Sequence, residues 1–226
     1  MPTVSKASYS TLPAGMTRSF TPPIMPAGVT VQAVAVTGPG AAAVADHHHR
    51  FFAGHEITER HQLVGPISKR VPDFFVHEIG PGPKYAGWTY ASVGVWEAVH
   101  SPDGHGLEFL LTAPERNRRL VELVAMTAYY HAGPAGQRLD EGHTVPIGEP
   151  WLPGSACDHL LVSLPYPFGA ELESCAWSGG HARLLWLLPI TGAERDYKVE
   201  YGLEALEQRL EEAAIHPTDV GRRSVV

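Results

Sequence analysis

From Trp88 to Glu97 the side chains divide cleanly with a period of two. Trp88, Tyr90, Ser92, Gly94 and Trp96 fall on one face of an extended chain, and Thr89, Ala91, Val93 and Val95 on the other. A second extended run, Gly106–Leu111, follows the turn residues Ser101-Pro102-Asp103-Gly104. Neither face of the first strand is continuously polar, so Trp88–Leu111 predicts two strands at the centre of a sheet. Upstream, Leu63–Ile67 and Asp73–Ile79 also predict strands, the second with Phe74, Val76 and Glu78 opposite Phe75, His77 and Ile79. Gly80-Pro81-Gly82-Pro83 is a stiff turn into the central pair.

Downstream the period changes. Thr112-Ala113-Pro114-Glu115 predicts a helix start with an acid near the positive end, and Leu120, Leu123, Val124 and Thr127 recur at i, i+3, i+4, i+7 as far as His131. Gly133-Pro134 stops that helix. Residues 134–158 read as a loop, and its apolar residues point to an ordered, functional one. His159–Leu164 predicts a strand, and Arg183–Ile190 a continuous apolar strand covered on both faces. Thr191-Gly-Ala-Glu194 has capping-box spacing and opens a helical run, Glu194–Ala213, with a break at Gly202. Leu203, Leu206 and Leu210 face the core in that run, and Glu204, Glu207, Glu211 and Glu212 face water.

At the other end, Ala41–Ala53 predicts a short helix and Val29–Val36 an edge strand, with Gly38-Pro39-Gly40 breaking the chain between them. Residues 1–27 carry five prolines among Ser, Thr, Ala and Gly, too little to bury for a stable fold. The organisation expected is therefore a Pro/Gly/Ala-rich leader, largely disordered, over residues 1–40 and one α+β domain over residues 41–226. Its core is a central mixed, mainly antiparallel sheet flanked by helices.

Composition narrows the class. With 226 residues and a net charge of -7, the chain is a poor nucleic-acid ligand, although Arg116, Arg118 and Arg119 form a local basic patch. Cys157 and Cys175 are too few for a disulfide scaffold, which points to a reducing, cytoplasmic setting. No apolar run approaches the roughly 20 residues that span a bilayer.

Candidate chemistry comes from three places. His47-His48-His49, with His55 or His61, offers either a metal site or a solvated histidine patch. Cys157 and His159 would lie roughly 6.6 Å apart along an ideal strand, whereas a nucleophilic dyad needs about 3 Å. Among carboxylates, Asp103 belongs to the turn, while Glu108 either points off the sheet or faces a groove. Aromatics near loops, Tyr85, Trp88, Trp151, Tyr166 and Phe168, serve equally as interface anchors or as seals of the core edge. Arg222-Arg223 fits a partner carboxylate or a solvated terminus.

The order of several motifs matches a family. These are Trp88-Thr-Tyr90-Ala-Ser92-Val-Gly94, then Gly104-His-Gly106-Leu-Glu108-Phe109, then Leu123–Tyr129 on a helix, and Gly142-His143-Thr-Val ahead of Trp151. His159-Leu-Leu161, Leu184–Gly192 with Glu194, Gly202–Leu206 and Asp219-Val-Gly-Arg222-Arg223 complete the set. Over about residues 47–224 the chain resembles the suppressor-of-fused domain, known from a Hedgehog-pathway regulator of animals and from many bacterial proteins. His105 stands where the family usually has an aromatic, and no second lobe follows, so a two-lobe clamp is not carried over. The resemblance implies a non-enzymatic protein-binding domain without a cofactor. In bacteria it implies an immunity protein of a polymorphic toxin system, one that occludes a toxin or peptide segment. The partner-binding residues expected are Trp88, Tyr90, Glu108, His143, Trp151, Asp219, Arg222 and Arg223. The rival readings are a hydrolase using Cys157/His159 or a histidine-bound metal, and a structural subunit of a larger assembly.

Overall fold

Trp88–Leu111 does supply the middle of the sheet in the computed structural model, which describes residues 38–61 and 66–226. Among the described residues eight strands form it: β1 Ile57–His61, β2 Phe75–Ile79, β3 Trp88–Val93, β4 His105–Ala113, β5 Thr144–Pro146, β6 Cys157–Ser163, β7 Ser174–Trp177 and β8 Gly180–Thr191. The order is β1-β2-β3-β4-β8-β6-β5, with β7 also pairing β8. All pairs are antiparallel except β4–β8, so the sheet is mixed and mainly antiparallel. β8 is twelve residues long, and β7 pairs with Gly180–Arg183 while β6 pairs with Trp186–Thr191. Both therefore fit along one side of β8, leaving the other side to β4.

Helices cover both faces. The longer ones are α1 Pro39–Phe51, α4 Arg118–His131, α6 Gly192–Tyr201 and α7 Leu203–Glu212. Single turns are α2 Ile67–Arg70, α3 Val95–Ala98 and α5 Ala170–Glu173. Successive residues of one strand point to opposite faces, so β4 sends Phe109 and Leu111 into a core with Leu120 and Val124 of α4. Leu110, between them, joins Val44 and Phe51 of α1 and Leu206 of α7 on the other side. β8 divides likewise, with Leu185 and Leu187 on the first side and Leu184, Trp186 and Leu188 on the second. No helix among the described residues is long and apolar enough to cross a membrane.

Several boundaries differ from the sequence expectation, each for a local reason. β3 stops at Val93 because Gly94 takes φ +99°, which carries Val95–Ala98 into a helical turn. A Cβ at Gly94 would sit 2.8 Å from the Asp73 carbonyl oxygen, so the position has no room for a side chain. β4 runs on through Ala113, which pairs with Trp88, so Thr112 and Ala113 are strand and not helix start. The helix opens instead at Arg118, capped by Asn117, whose Oδ1 accepts from Arg119 N at 3.0 Å. Its first turn has no acid.

Gly38-Pro39-Gly40 does not break the chain but begins α1, with proline in the first turn where its missing N–H costs nothing. The carboxylate of Glu97 caps it from α3, accepting from Gly40 N at 2.6 Å and Ala41 N at 3.2 Å. The boundary drawn after residue 40 thus falls in the first turn of this helix. Ile67 begins α2 and is not strand; residues 63–65 of the expected Leu63–Ile67 strand, and the expected 29–36 strand, lie outside the described residues. The capping box at Thr191 and Glu194 is present, and Gly202, at φ +94°, separates α6 from α7.

Candidate partner-binding surface

The shared motif of β3 and β4 is an internal brace. Glu108 is fully buried, and its Oε2 accepts from Ser92 Oγ at 2.5 Å. Its Oε1 accepts from the backbone N–H of Gly94 at 3.1 Å and of Trp96 at 3.0 Å. Ser92 Oγ in turn accepts from Phe109 N at 2.8 Å. The carboxyl thus holds the left-handed turn at Gly94 against β4. Burial, opposed by these hydrogen bonds, pushes its pKa from 4.5 up to about 7.

That shift predicts a pH dependence. With its folded pKa above the unfolded one, Glu108 contributes stability that is full below about pH 4.5 and lost as pH rises through about 7. Glu108→Gln keeps an acceptor for the two amides and does not titrate. The difference in unfolding free energy, variant minus wild type, should therefore rise from pH 4.5 to 8 by roughly 3 kcal/mol. Urea denaturation across that range measures it, and a flat difference would refute the shift.

Tyr90 is also fully buried, and its hydroxyl accepts from Asn117 N at 2.7 Å, tying the start of α4 to β3. Trp88 is half-buried beneath Arg116, whose guanidinium carbon lies 5.6 Å from the ring centroid. Arg116 Nε, at 2.8 Å, and Arg60 Nη2, at 2.7 Å, both donate to Glu78 Oε1 on β2. Burial pushes the Glu78 carboxyl up, but the two arginines outweigh it and hold it below its usual range. Arg60 and Glu78 were not among the expected site residues. The available signal was Glu78 itself, a charge on the strand face that carries Phe74 and Val76.

The other expected residues lie on the far side of β8. Trp151 is 1% exposed, its indole N–H donating to Ser155 Oγ at 3.0 Å, so it plugs the core beneath the loop it belongs to. His143 is exposed just before β5, accepting at Nδ1 from Asp140 N at 3.0 Å. Arg222 is buried and paired with Glu194, so the solvated-terminus reading fails for its side chain. Asp219 and Arg223 are exposed, the former closing a turn by accepting from Gly221 N. The eight residues are therefore not one patch: Trp88, Tyr90 and Glu108 share the β3–β4 pair, while Trp151 and Arg222 meet the neighbourhood of Cys157.

The rival sites are placed too. Cys157 is 1% exposed, burial raises its thiol pKa, and the ladder shifts register before His159, whose Nδ1 pairs with Asp158. A buried, protonated thiol is a poor nucleophile. The histidine run is not a solvated patch. His47 Nε2 meets Leu172 O at 3.0 Å, and buried His48 shares a 3.1 Å Nδ1–Nδ1 contact with His77. Burial foremost, then neighbouring histidines, lowers both, His77 to about 4, so the pair is neutral at pH 7. Among the described residues no group of three or more His, Cys, Asp or Glu is placed to hold a metal ion.

Charged and polar groups converge elsewhere, around a cavity of about 400 Å³ where β4 and β8 begin. Their parallel register puts His105 beside His181, with Nδ1 atoms 3.4 Å apart, and Leu107 beside Arg183. His131, at the end of α4, and the segment Arg138–Asp140 complete the wall. Arg183 donates to Glu173 at 3.0 Å and to Glu141 at 3.1 Å, so it pins the loop before His143 to α5 and β8. Two predicted features therefore meet here, the ordered loop and His105, and His143 adjoins them through Asp140 N. Their meeting depends on strand pairing across the chain.

Comparison with known proteins sets this geometry in a wider group. The model of the suppressor of fused protein (SUFU) family matches residues 73–223. A SUFU homolog from Neisseria gonorrhoeae FA 1090, solved by crystallography, is 33% identical with a TM-score of 0.71, over 83% of this chain and 97% of that one. The Sufu–Fu complex structure gives a TM-score of 0.62 at 16% identity, over 83% of this chain and 92% of the other. Drosophila Suppressor of Fused gives 0.59 at 14%, over 84% of this chain and 52% of its own. These last two show likeness of fold alone. No curated protein matches the chain.

Proposed function

The chain belongs to the suppressor of fused family, and from that premise we propose that it is a non-enzymatic domain that binds another protein. The observation that carries the reading is the ordered loop of residues 134–151, which sets exposed Arg138 in the wall of the charged cavity and exposed His143 against Asp140 of that wall. Its backbone is fixed by β5, by Trp151 beneath it and by Arg183. A surface held from three sides loses little entropy on binding, which favours tight recognition. A relative of the same fold, Sufu, is named in a complex with Fu, and that likeness supports the protein-binding class.

Of the eight expected residues, His143, Trp88, Asp219 and Arg223 reach the surface and are assigned to contact. Tyr90, Glu108, Trp151 and Arg222 act from inside, by holding the elements that carry the contacts. The finer proposal is an immunity role in the cytoplasm, in which the partner is a toxin and binding occludes its active surface. The raised Cys157 thiol pKa favours this reading over a hydrolase.

Two measurements test it. His143→Ala should weaken capture of the partner by about thirtyfold, a hot-spot loss, while thermal stability changes little. For the immunity role, co-expression with the product of an adjacent gene should restore growth that this product alone arrests. Unchanged capture by the variant would move the contact surface away from this loop. Growth arrest that the protein does not relieve would discard the immunity role and leave protein binding standing.

A further inference from the structure

The sheet face opposite Trp151 carries a groove of about 630 Å³ between β8 and α7. Trp186 and Leu188 line it together, since alternate residues of a strand face the same way. Leu210 closes it from α7, and the chain then turns back at Ala214, φ +46°, where Ile215 N donates to Leu210 O at 3.2 Å. That reversal brings Ile215 and Pro217 to the same wall. Trp186 is 3% exposed, and its indole N–H finds no acceptor among the described residues. A buried donor without a partner costs about 1–3 kcal/mol, a cost that an acceptor entering the groove would remove.

Charge around the groove is of one sign. Glu204, Glu207 and Glu211 recur at i, i+3, i+7 on α7, so they lie along one face of the helix, and all three line the groove. Glu207 accepts from Ser163 Oγ and from the Tyr166 hydroxyl, both at 3.3 Å. Glu204 and Glu211 have no hydrogen-bond or ion-pair partner among the described residues. The cations of α6, α7 and the C-terminal segment do not line the groove. Arg195 pairs with Asp196, Arg209 with Glu212 and Arg222 with Glu194, while Lys198, Arg223 and His216 lie outside its wall. Like charges at i, i+4, as at Glu207 and Glu211, destabilise a helix, and Glu211 also stands in the last turn, whose partial negative charge repels an acid. The acidic stripe therefore lacks its counter-charge within the fold.

We infer that this groove docks a segment of a partner protein in which apolar side chains sit between lysines or arginines. The apolar side chains cover Trp186, Leu188, Ile215 and Pro217, and the cations pair with Glu204 and Glu211. Those two acids are roughly two helical turns apart, about 10 Å along the axis, a distance that about three residues of extended peptide span. A peptide also brings backbone carbonyls to the indole N–H, which a simple amine lacks. This surface is separate from the 134–151 loop, whose Trp151 packs on the other side of the sheet, so the inference goes beyond the reading above and does not depend on it.

The experiment uses the full chain with ¹⁵N-labelled tryptophan, in which Trp186→Phe identifies the Trp186 signal among the five indole N–H resonances. The probe is the acetylated, amidated peptide Lys-Leu-Leu-Lys, compared at equal ionic strength with Lys-Ser-Ser-Lys and with hexylammonium chloride. Lys-Leu-Leu-Lys should move the Trp186 indole signal saturably, and Lys-Ser-Ser-Lys should bind about tenfold more weakly. Glu204→Gln/Glu211→Gln should weaken binding of the first peptide about fivefold. Both side chains are exposed and without an internal partner, so this variant keeps its fold. No saturable shift at Trp186, equal binding of Lys-Ser-Ser-Lys, or equal binding in variant and wild type overturns the inference. Hexylammonium binding as tightly as Lys-Leu-Leu-Lys overturns it as well and makes the groove a small-amine site. The His143→Ala capture test reports on a different surface, so the two readings fail separately.

Discussion

Arg222→Ala is expected to lower the unfolding free energy by about 3–5 kcal/mol, the range for breaking a buried ion pair by removing one partner. The guanidinium donates to both carboxylate oxygens of Glu194, Nη1 to Oε1 at 2.6 Å and Nη2 to Oε2 at 2.8 Å, and Nη2 also to Pro189 O at 2.8 Å. Both side chains are at most 5% exposed. Burial pushes the Glu194 carboxyl up, yet Arg222 first, then the amides of Thr191 and Val225, hold it below its usual range. Its contribution is therefore present above the unfolded pKa and lost as pH falls through the lower folded one. Without Arg222 the carboxylate is left buried and uncompensated. In Arg222→Leu/Glu194→Leu no charge is stranded, so the double variant should be more stable than Arg222→Ala. Urea denaturation of the variants at pH 7 decides the matter; a loss below about 1 kcal/mol for Arg222→Ala would show that the pair is not buried in solution.

Trp151→Ala should cost a similar amount, about 3–5 kcal/mol, by leaving a cavity where the largest fully buried side chain was. Here the effect has an address. The indole packs in the core with Val145, Leu160 and Val162, and through Ser155 it also ties down the amide of Cys157. Its loss should release the 134–158 segment before the rest of the sheet. Hydrogen exchange in Trp151→Ala should therefore accelerate at Gly142 and Ile147, whose amides bond to Val162 and Asp158. Trp151→Phe, which keeps most of the volume but loses the indole hydrogen bond and leaves a smaller cavity, should cost less, about 1–3 kcal/mol. Uniform acceleration across the domain in Trp151→Ala would instead make the loop part of the global unfolding unit.

How much of this could be read along the chain depended on distance. The capping box at Thr191 and Glu194, the stop at Gly202 and the two-faced apolar strand of β8 are local patterns, and each is present. The start of α4 was misread because Thr112 and Ala113 are claimed by pairing with β3, a contact that local propensity does not encode. Arg222 reads along the chain as a partner contact or a solvated terminal residue because its actual partner is Glu194, 28 positions away. Tyr90 and Glu108 were picked for their polarity on a core strand, and the polarity is real. It serves Asn117 and the Gly94 turn rather than a groove. The cavity was invisible for the same reason: His105 meets His181 only because β4 and β8 run parallel.

That pairing also sets the tempo of assembly. His105 and His181 are 76 residues apart in the chain, whereas β1 to β4 join neighbour to neighbour through short antiparallel connections. Loop-closure entropy makes such a remote parallel pair form late, after the local meander and α4 have organised. Until β8 emerges from the ribosome and docks, β4 carries an open edge in the middle of the future sheet, β7 has no strand to receive it, and β6 has only three-residue β5. The nascent protein is thus most vulnerable to misassociation between the synthesis of Ala113 and that of Thr191, and any chaperone dependence would be confined to that window.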